Sequence, residues 1–333
     1  MRRAHGSIAA TENKKGRRPV NMPSIKRLLL ATDFSDWARR AEDYASALAA
    51  SWRAALTVMT VLEFPPGMNP EYAVNKQYLT DRMSDASSRL AEFRGRAQRQ
   101  GIVTTIRMAT GIPSEEIIDA AKAEETDLVI VGTRGKSGLA HVLLGSTAER
   151  VIRMAPCPVL AVHSAKEDAL SGKGIRLDRI LVPTDFSECS EEAVSVAAVV
   201  AAQAKASIEL MHVVEPAYYS IDFTIEHPDE REHKRQRSAD QLEALSEKLS
   251  KAGMTVNIDI RGGAPADTIL NVAKTTSSDL IVMGTHGRRG LSHMWAGSVT
   301  EAVLRRGPFP VLAVRNPAFS GRMRALGAEG GGA

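Results

Sequence analysis

Residues 131–146 read VGTRGKSGLAHVLLGS, and within them Gly135, Lys136 and Ser137 form the tail of a phosphate-binding loop signature. In that signature backbone amides cradle phosphates and the lysine meets the terminal ones. The spacing rejects the match. A glycine is needed five positions before the one preceding the lysine, and that position is Ile130, inside the apolar run Leu128 to Val131. The stretch also occurs a second time, with Gly287-Arg288-Arg289 in place of the triplet. What both occurrences keep is G-x2-G-x9-G-S: Gly132, Gly135, Gly145 and Ser146, then Gly284, Gly287, Gly297 and Ser298. Glycines leaving a strand permit unusual backbone angles and keep side chains away from a ligand. A helix that opens at Gly-Ser offers unpaired amides and a partial positive charge, which suit an anion. The bland alternative is a turn followed by an N-cap. Asp33 and Asp185, each in a TDFS segment, carry the same double reading: a carboxylate for a ribose hydroxyl or adenine amine, or a helix cap, for which Ser35 is also placed.

These residues belong to a unit written twice. ATDFS (31–35) recurs as PTDFS (183–187), TDLVIVGTRG (126–135) as SDLIVMGTHG (278–287), and LLGSTAERVIRMAPCPVLAV (143–162) as WAGSVTEAVLRRGPFPVLAV (295–314), at a constant offset of 152 residues. The period is far longer than a solenoid repeat, so the copies are whole domains. Their expected bounds are 23–164 and 177–316, with a linker at 165–176, a basic tail at 1–22 and a second tail at 317–333, both tails expected to be disordered.

Within a copy, strand and helix patterns alternate. Arg27 to Ala31 is a short apolar run suited to a strand buried on both faces. A helical alanine pattern follows, then the strand LTVMTVLEF, a polar stretch over 65–79 and a helix near 80–99. Met254, Val256, Ile258 and Ile260 alternate with polar residues as a third strand, as Ile102 to Met108 do in copy one. GIPSEEIIDAAKAEE has a proline in its first helical turn; DLVIVG, a helix from about 146 and PVLAV complete the unit. The fold class is therefore α/β: two tandem Rossmann-like or flavodoxin-like domains, each a five-stranded parallel sheet with helices on both faces. In such sheets ligands bind beyond the carboxyl ends of strands where the winding reverses. The TDFS segment and the glycine-rich loop leave strands one and four at that end.

Composition narrows the class further. With 44% apolar and 5% aromatic residues, the cores must be built from Ala, Val, Leu and Ile. The net charge of +4 comes from the tail, where residues 1–22 hold six basic side chains against Glu12, a charge of +5 that leaves −1 for the rest of the chain. The folded body is near neutral, so no nucleic-acid partner is expected. No apolar run reaches the roughly 20 residues that span a bilayer, so no membrane partner is expected either. Cys157 and Cys189 lack metal or redox spacing, which fits a reduced cytoplasmic compartment. His227 and His233 have no histidine counterparts in copy one and read as a solvated helix face rather than a metal site.

At its glycine signature the chain resembles the universal stress protein family, in tandem two-domain form. The resemblance covers both copies and leaves out the tails and linker. It implies an adenine nucleotide, ATP, with Mg2+ held through the phosphates. It places Asp33, and Asp185 with Pro183, against adenine and ribose; Val61 and Val213 at the base; and Gly132, Met283 and Gly284 near the ribose. Gly135, Gly145, Ser146 and Thr147 would hold phosphates in copy one, as would Gly287, Gly297, Ser298 and Val299 in copy two. Copy one departs from the pattern at Ala31 and Thr60, where copy two has Pro183 and His212, so weaker binding is expected there. The family also implies pairing of the PVLAV strands into an internal pseudo-dimer; an unpaired apolar edge of that kind invites a strand. Association of two chains into a homodimer is left open, and the protein partner is unknown.

Three functions compete. A nucleotide-responsive regulator of stress adaptation needs affinity and a conformational difference, with no catalytic residue. A slow ATPase or self-phosphorylating enzyme needs a group to orient water and a cation on the transferring phosphoryl. Arg134, Lys136, His286 and Arg288 are candidates by position, but no carboxylate–histidine pair recurs near the loop, and no catalytic residue is assigned. A scaffold that ignores nucleotide would have no use for two intact loops.

Overall fold

The computed structural model describes residues 24–63, 72–134, 144–163, 175–215, 228–286 and 297–315. Both tails, most of the linker, Gly135 and Gly287 lie outside them. The first copy runs β1 (Arg27–Ala31), α1 (Arg39–Trp52), β2 (Ala55–Leu62), α2 (Ala73–Arg99), β3 (Thr104–Thr110), α3 (Pro113–Ala123), β4 (Leu128–Gly132), α4 (Ser146–Met154) and β5 (Val159–Val162). The second repeats it as β6 (Arg179–Pro183), α5 (Glu188–Ala204), β7 (Ser207–Val214), α6 (Pro228–Lys251), β8 (Val256–Gly262), α7 (Pro265–Thr275), β9 (Leu280–Gly284), α8 (Ser298–Arg306) and β10 (Val311–Val314).

The strands form one sheet in the order β3-β2-β1-β4-β5-β10-β9-β6-β7-β8. Every pairing within a copy is parallel. The join between copies is antiparallel, with Leu312 opposite Leu160, Val311 opposite Ala161 and Ala313 opposite Val159. An approximate two-fold axis thus passes between Leu160 and Leu312, 3% and 1% exposed, and the apolar edge of each copy is covered by the other. Gln203 on α5 reinforces the join from outside the sheet. Its side chain accepts the Ile25 amide proton at 2.7 Å and donates to the Ile25 carbonyl at 3.1 Å.

Central strands are buried on both faces, which is why β1, β4, β6 and β9 read as unbroken aliphatic runs. The β6–β9 ladder ends at Leu181 opposite Ile281, whereas β1–β4 continues to Ala31 opposite Val131. Pro183, at the position of Ala31, has no N–H to extend it. Helix α2 starts at Ala73, seven residues before the expected 80, and this matters for the site. Its C-terminal end is pinned by Gly101 (φ 75°) and by Leu56 pairing with Thr104. A helix of 27 residues is about 40 Å long and an eight-residue strand about 27 Å. The excess therefore stands above the carboxyl edge of the sheet.

Among the described residues no helix is long and apolar enough to cross a membrane. His163, next to last in the first expected unit, is packed in. Its Nδ1 meets the Thr133 hydroxyl at 3.2 Å, and its Nε2 is buried with no partner among the described residues. Burial, aided by the charges of Arg134 and Arg40, pushes its pKa down to about 4. The unfolded chain therefore binds the proton first as pH falls. Stabilisation is complete above about 6.5 and lost towards 4, a swing of about 3 kcal/mol at ~1.4 kcal/mol per unit. Urea titrations at pH 7 and pH 4.5 should show a steep acid loss for the natural chain and a flatter one for His163→Asn; equal slopes would show that the buried imidazole is not the cause.

Candidate functional site

Adjacent β1 and β4 are the point where the chain reverses direction across the sheet, and β6 and β9 repeat it. Beyond the carboxyl end of β1, the TDFS turn is fixed by its own side chains. The Thr32 hydroxyl donates to Glu42 Oε1 at 2.7 Å and accepts the Phe34 amide at 2.9 Å. Phe34 is thereby held at φ 54°, a left-handed conformation that aromatic residues seldom adopt; Phe186 repeats it at 60°, with Thr184 accepting its amide. Burial holds the Glu42 carboxyl above its ordinary pKa, opposed by the Thr32 hydrogen bond and Arg96.

The aspartates are not the helix caps. Asp33 Oδ1 accepts the Ser35 amide at 3.0 Å, and Asp185 Oδ1 accepts the Ser187 amide at 3.1 Å and its hydroxyl at 2.6 Å. Ser187 is the residue that caps α5, and α1 begins later, after Ala38, with no side-chain cap. The Asx turn instead sets each carboxylate at the strand exit.

The glycines behave differently from expectation. Gly145 (φ −74°) and Gly297 (φ −55°) have ordinary backbone angles, and Gly132 and Gly284 show no left-handed φ. A Cβ on Gly284 would lie 2.8 Å from the Cys189 carbonyl oxygen; one on Gly132 would lie 3.3 Å from the Arg134 carbonyl oxygen and 3.5 Å from the Ala38 Cα. These two glycines let the start of α5 or α1 press on the strand end. Gly145 and Gly297 close their loops, donating to the Thr133 and Thr285 carbonyls at 2.7 and 2.6 Å. Each is also the N-cap of the next helix, so Ser146 and Ser298 occupy the first helical position and no side chain caps α4 or α8. The first-turn amides, Ser146 and Thr147 in one copy and Ser298 and Val299 in the other, have no intrahelical acceptor.

In the first copy these parts surround a cleft of about 440 Å³, within the usual range for small-molecule sites. Asp33, Val61, Gly132, Gly145, Ser146 and Thr147 all line it. The donor set at α4 fits a phosphate: bare amides at the positive end of a helix. The sequence reading missed the opposite wall, where Arg82, Asp85 and Arg89 of α2 also line the cleft. It also missed an exchange at the rim. Copy one has Arg134 and His163 where copy two has His286 and Arg315. The Arg134 guanidinium sits 5.1 Å from the Trp37 ring; His286 meets the Thr285 hydroxyl at 3.0 Å. Burial, then Arg315, lowers the pKa of His286.

In the second copy Pro183, Asp185, Val213, Met283, Gly284, Gly297, Ser298 and Val299 hold the corresponding strand-end and helix-start positions. His212, where copy one has buried Thr60, donates from Nδ1 to the Thr184 carbonyl at 2.8 Å and packs 4.7 Å from the Phe186 ring. Among the described residues no cluster of His, Cys, Asp and Glu could hold a metal by itself.

The strand order and the crevice at its reversal define a doubly wound α/β protein, duplicated within one chain. The Universal stress protein family profile matches residues 24–163 and 176–315, and the chain belongs to that family. A universal stress protein of Mycolicibacterium smegmatis is 29% identical over 265 residues, 80% of this chain and 83% of that protein. Universal stress protein MJ0531 of Methanocaldococcus jannaschii is 31% identical over 144 residues, 43% of this chain and 85% of that protein. The crystal structure of a universal stress protein from Archaeoglobus fulgidus is similar in fold, with a TM-score of 0.65 at 24% identity over 87% of this chain and 96% of that one.

Proposed function

We propose that one or both of the two units, residues 23–164 and 177–316, bind an adenine nucleotide at the sheet reversal, and that the protein is a nucleotide-responsive regulator of stress adaptation acting in the cytoplasm. ATP is the ligand, with Mg2+ carried on its phosphates. The observation behind this reading is the first-copy cleft, in which a strand-end aspartate, a strand-end valine and an uncapped helix start share one lining. A carboxylate suits ribose hydroxyls, the apolar strand end suits a base, and the helix start suits phosphate. A regulator of this kind works by differential affinity between two shapes and needs no rapid turnover.

Calorimetric titration of the full chain with Mg-ATP is expected to show saturable binding, with adenylate released on denaturation identified by mass spectrometry. Labelled phosphate should appear more slowly than about one per second, the low end of ordinary enzymes. Failure of ATP to bind either copy would end the nucleotide reading, and faster release would make the protein an enzyme.

A further inference from the structure

The wall opposite the phosphate-binding helix start carries a charge that the nucleotide reading leaves unused. Helix α2 faces the sheet through Ala86, Leu90, Phe93 and Ala97, all at most 5% exposed. One turn towards the N-terminus, the same stripe continues to Arg82. There the sheet has ended and the cleft has begun, so the apolar stripe gives way to a half-buried guanidinium lining the cleft. Among the described residues Arg82 makes no ion pair or hydrogen bond. Arg89, two turns on, is tied down: its Nε meets Asp85 Oδ1 at 3.0 Å and its Nη1 donates to the Phe34 carbonyl at 3.3 Å. Phe34 directly follows Asp33, so this tether holds α2 against the turn that carries the aspartate.

The cleft thus offers an anion two places to bind, although the Glu63 and Asp85 carboxylates also belong to its lining. One is the start of α4, beside β4; the other is Arg82, on the β2 side. Adjacent strands lie about 4.8 Å apart, and β1 stands between β2 and β4, so the strands beneath these two places are about 10 Å apart across the sheet. In dinucleotide sites of doubly wound sheets, a carboxylate at a strand end takes a ribose hydroxyl and a nearby arginine takes a ribose phosphate. This cleft has both groups, Asp33 and Arg82.

Resting on the nucleotide reading above, we propose that the first copy selects an adenine nucleotide phosphorylated on a ribose 2′ or 3′ oxygen as well as at the 5′ position. Arg82 contacts the ribose phosphate, Asp33 accepts the remaining hydroxyl, and Arg89 positions the helix. The second copy lacks the arrangement. Arg82, Asp85 and Arg89 are replaced by Lys234, Arg237 and Gln241, and Lys234 is exposed.

Titrating the full chain with AMP, adenosine 3′,5′-bisphosphate and adenosine 2′,5′-bisphosphate tests this. One bisphosphate should bind at one site per chain about tenfold more tightly than AMP, the worth of one charge-assisted hydrogen bond. Arg82→Gln should bring that ratio close to one, and Arg82→Lys should keep part of it. Bisphosphates no tighter than AMP, a ratio that survives Arg82→Gln, or equal losses for all three ligands would each overturn the selection. If neither AMP nor ATP binds at all, the underlying nucleotide reading fails and this inference with it.

Discussion

Ser146→Pro is expected to weaken ATP binding in the first copy ten- to a hundredfold while the fold stays intact. The residue is the first of α4, where proline is well tolerated because its backbone angle suits a helix and its missing N–H has no helical partner. Gly145, with ψ 150°, already has the extended backbone that a residue before proline requires. The substitution therefore deletes one amide donor and one hydroxyl from the proposed phosphate grip and puts a ring methylene where the amide hydrogen pointed. A hydrogen bond to a charged group contributes about 1.5–3 kcal/mol, which sets the expected factor. Ser298→Pro is the matching change in copy two, and the double variant should lose tight binding altogether. Calorimetry gives the affinity and circular dichroism the fold. Undiminished binding in a folded double variant would remove the helix starts from the site.

Gly284→Ala should cost about 2–3 kcal/mol of stability, the upper range for overpacking, through clash rather than through loss of ligand. The new methyl would lie 2.8 and 2.9 Å from the carbonyl oxygen and carbon of Cys189, both backbone, and 3.0 Å from its sulfur. Cys189 is itself held, with its thiol donating to the Val314 carbonyl at 3.2 Å, so the first turn of α5 cannot yield cheaply. Gly132→Ala meets its nearest atom at 3.3 Å and should cost under about 1.5 kcal/mol. Urea denaturation of the two single variants measures the difference. Equal, small losses would show that the strand-end glycines are not there for helix packing.

The two glycine pairs show where reading residues in order succeeds and where it stops. A repeat at constant offset, aliphatic runs and helical spacing are local or self-comparing signals. They were enough for two α/β units, the strand succession and the segments that leave β1 and β4. The helix starts at Ser146 and Ser298 were legible for the same reason, since Gly-Ser before an amphipathic run is a local pattern. The purpose of Gly132 and Gly284 was not legible, because it depends on what presses against them, and Ala38 and Cys189 come from the far earlier segments that open α1 and α5. Aspartate capping failed as an expectation because several residues in TDFS can accept an amide, and only backbone geometry decides which one does.

Arg82 is the extreme case. Its place on α2 follows from helical spacing, yet only the lengths of helix and strand, set side by side, put it above the sheet edge and inside a cleft. His163 likewise reads as a plain polar residue near the end of the first unit until the end of β5 brings it under Thr133 and beside two arginines. The order of residues determined the family, the duplication and the elements that meet at each reversal of the sheet, because those are carried by spacing along the chain. Tertiary structure alone decided which side chains face the cleft, which glycines serve packing and how the two copies join, because these depend on distances between segments that no local pattern records.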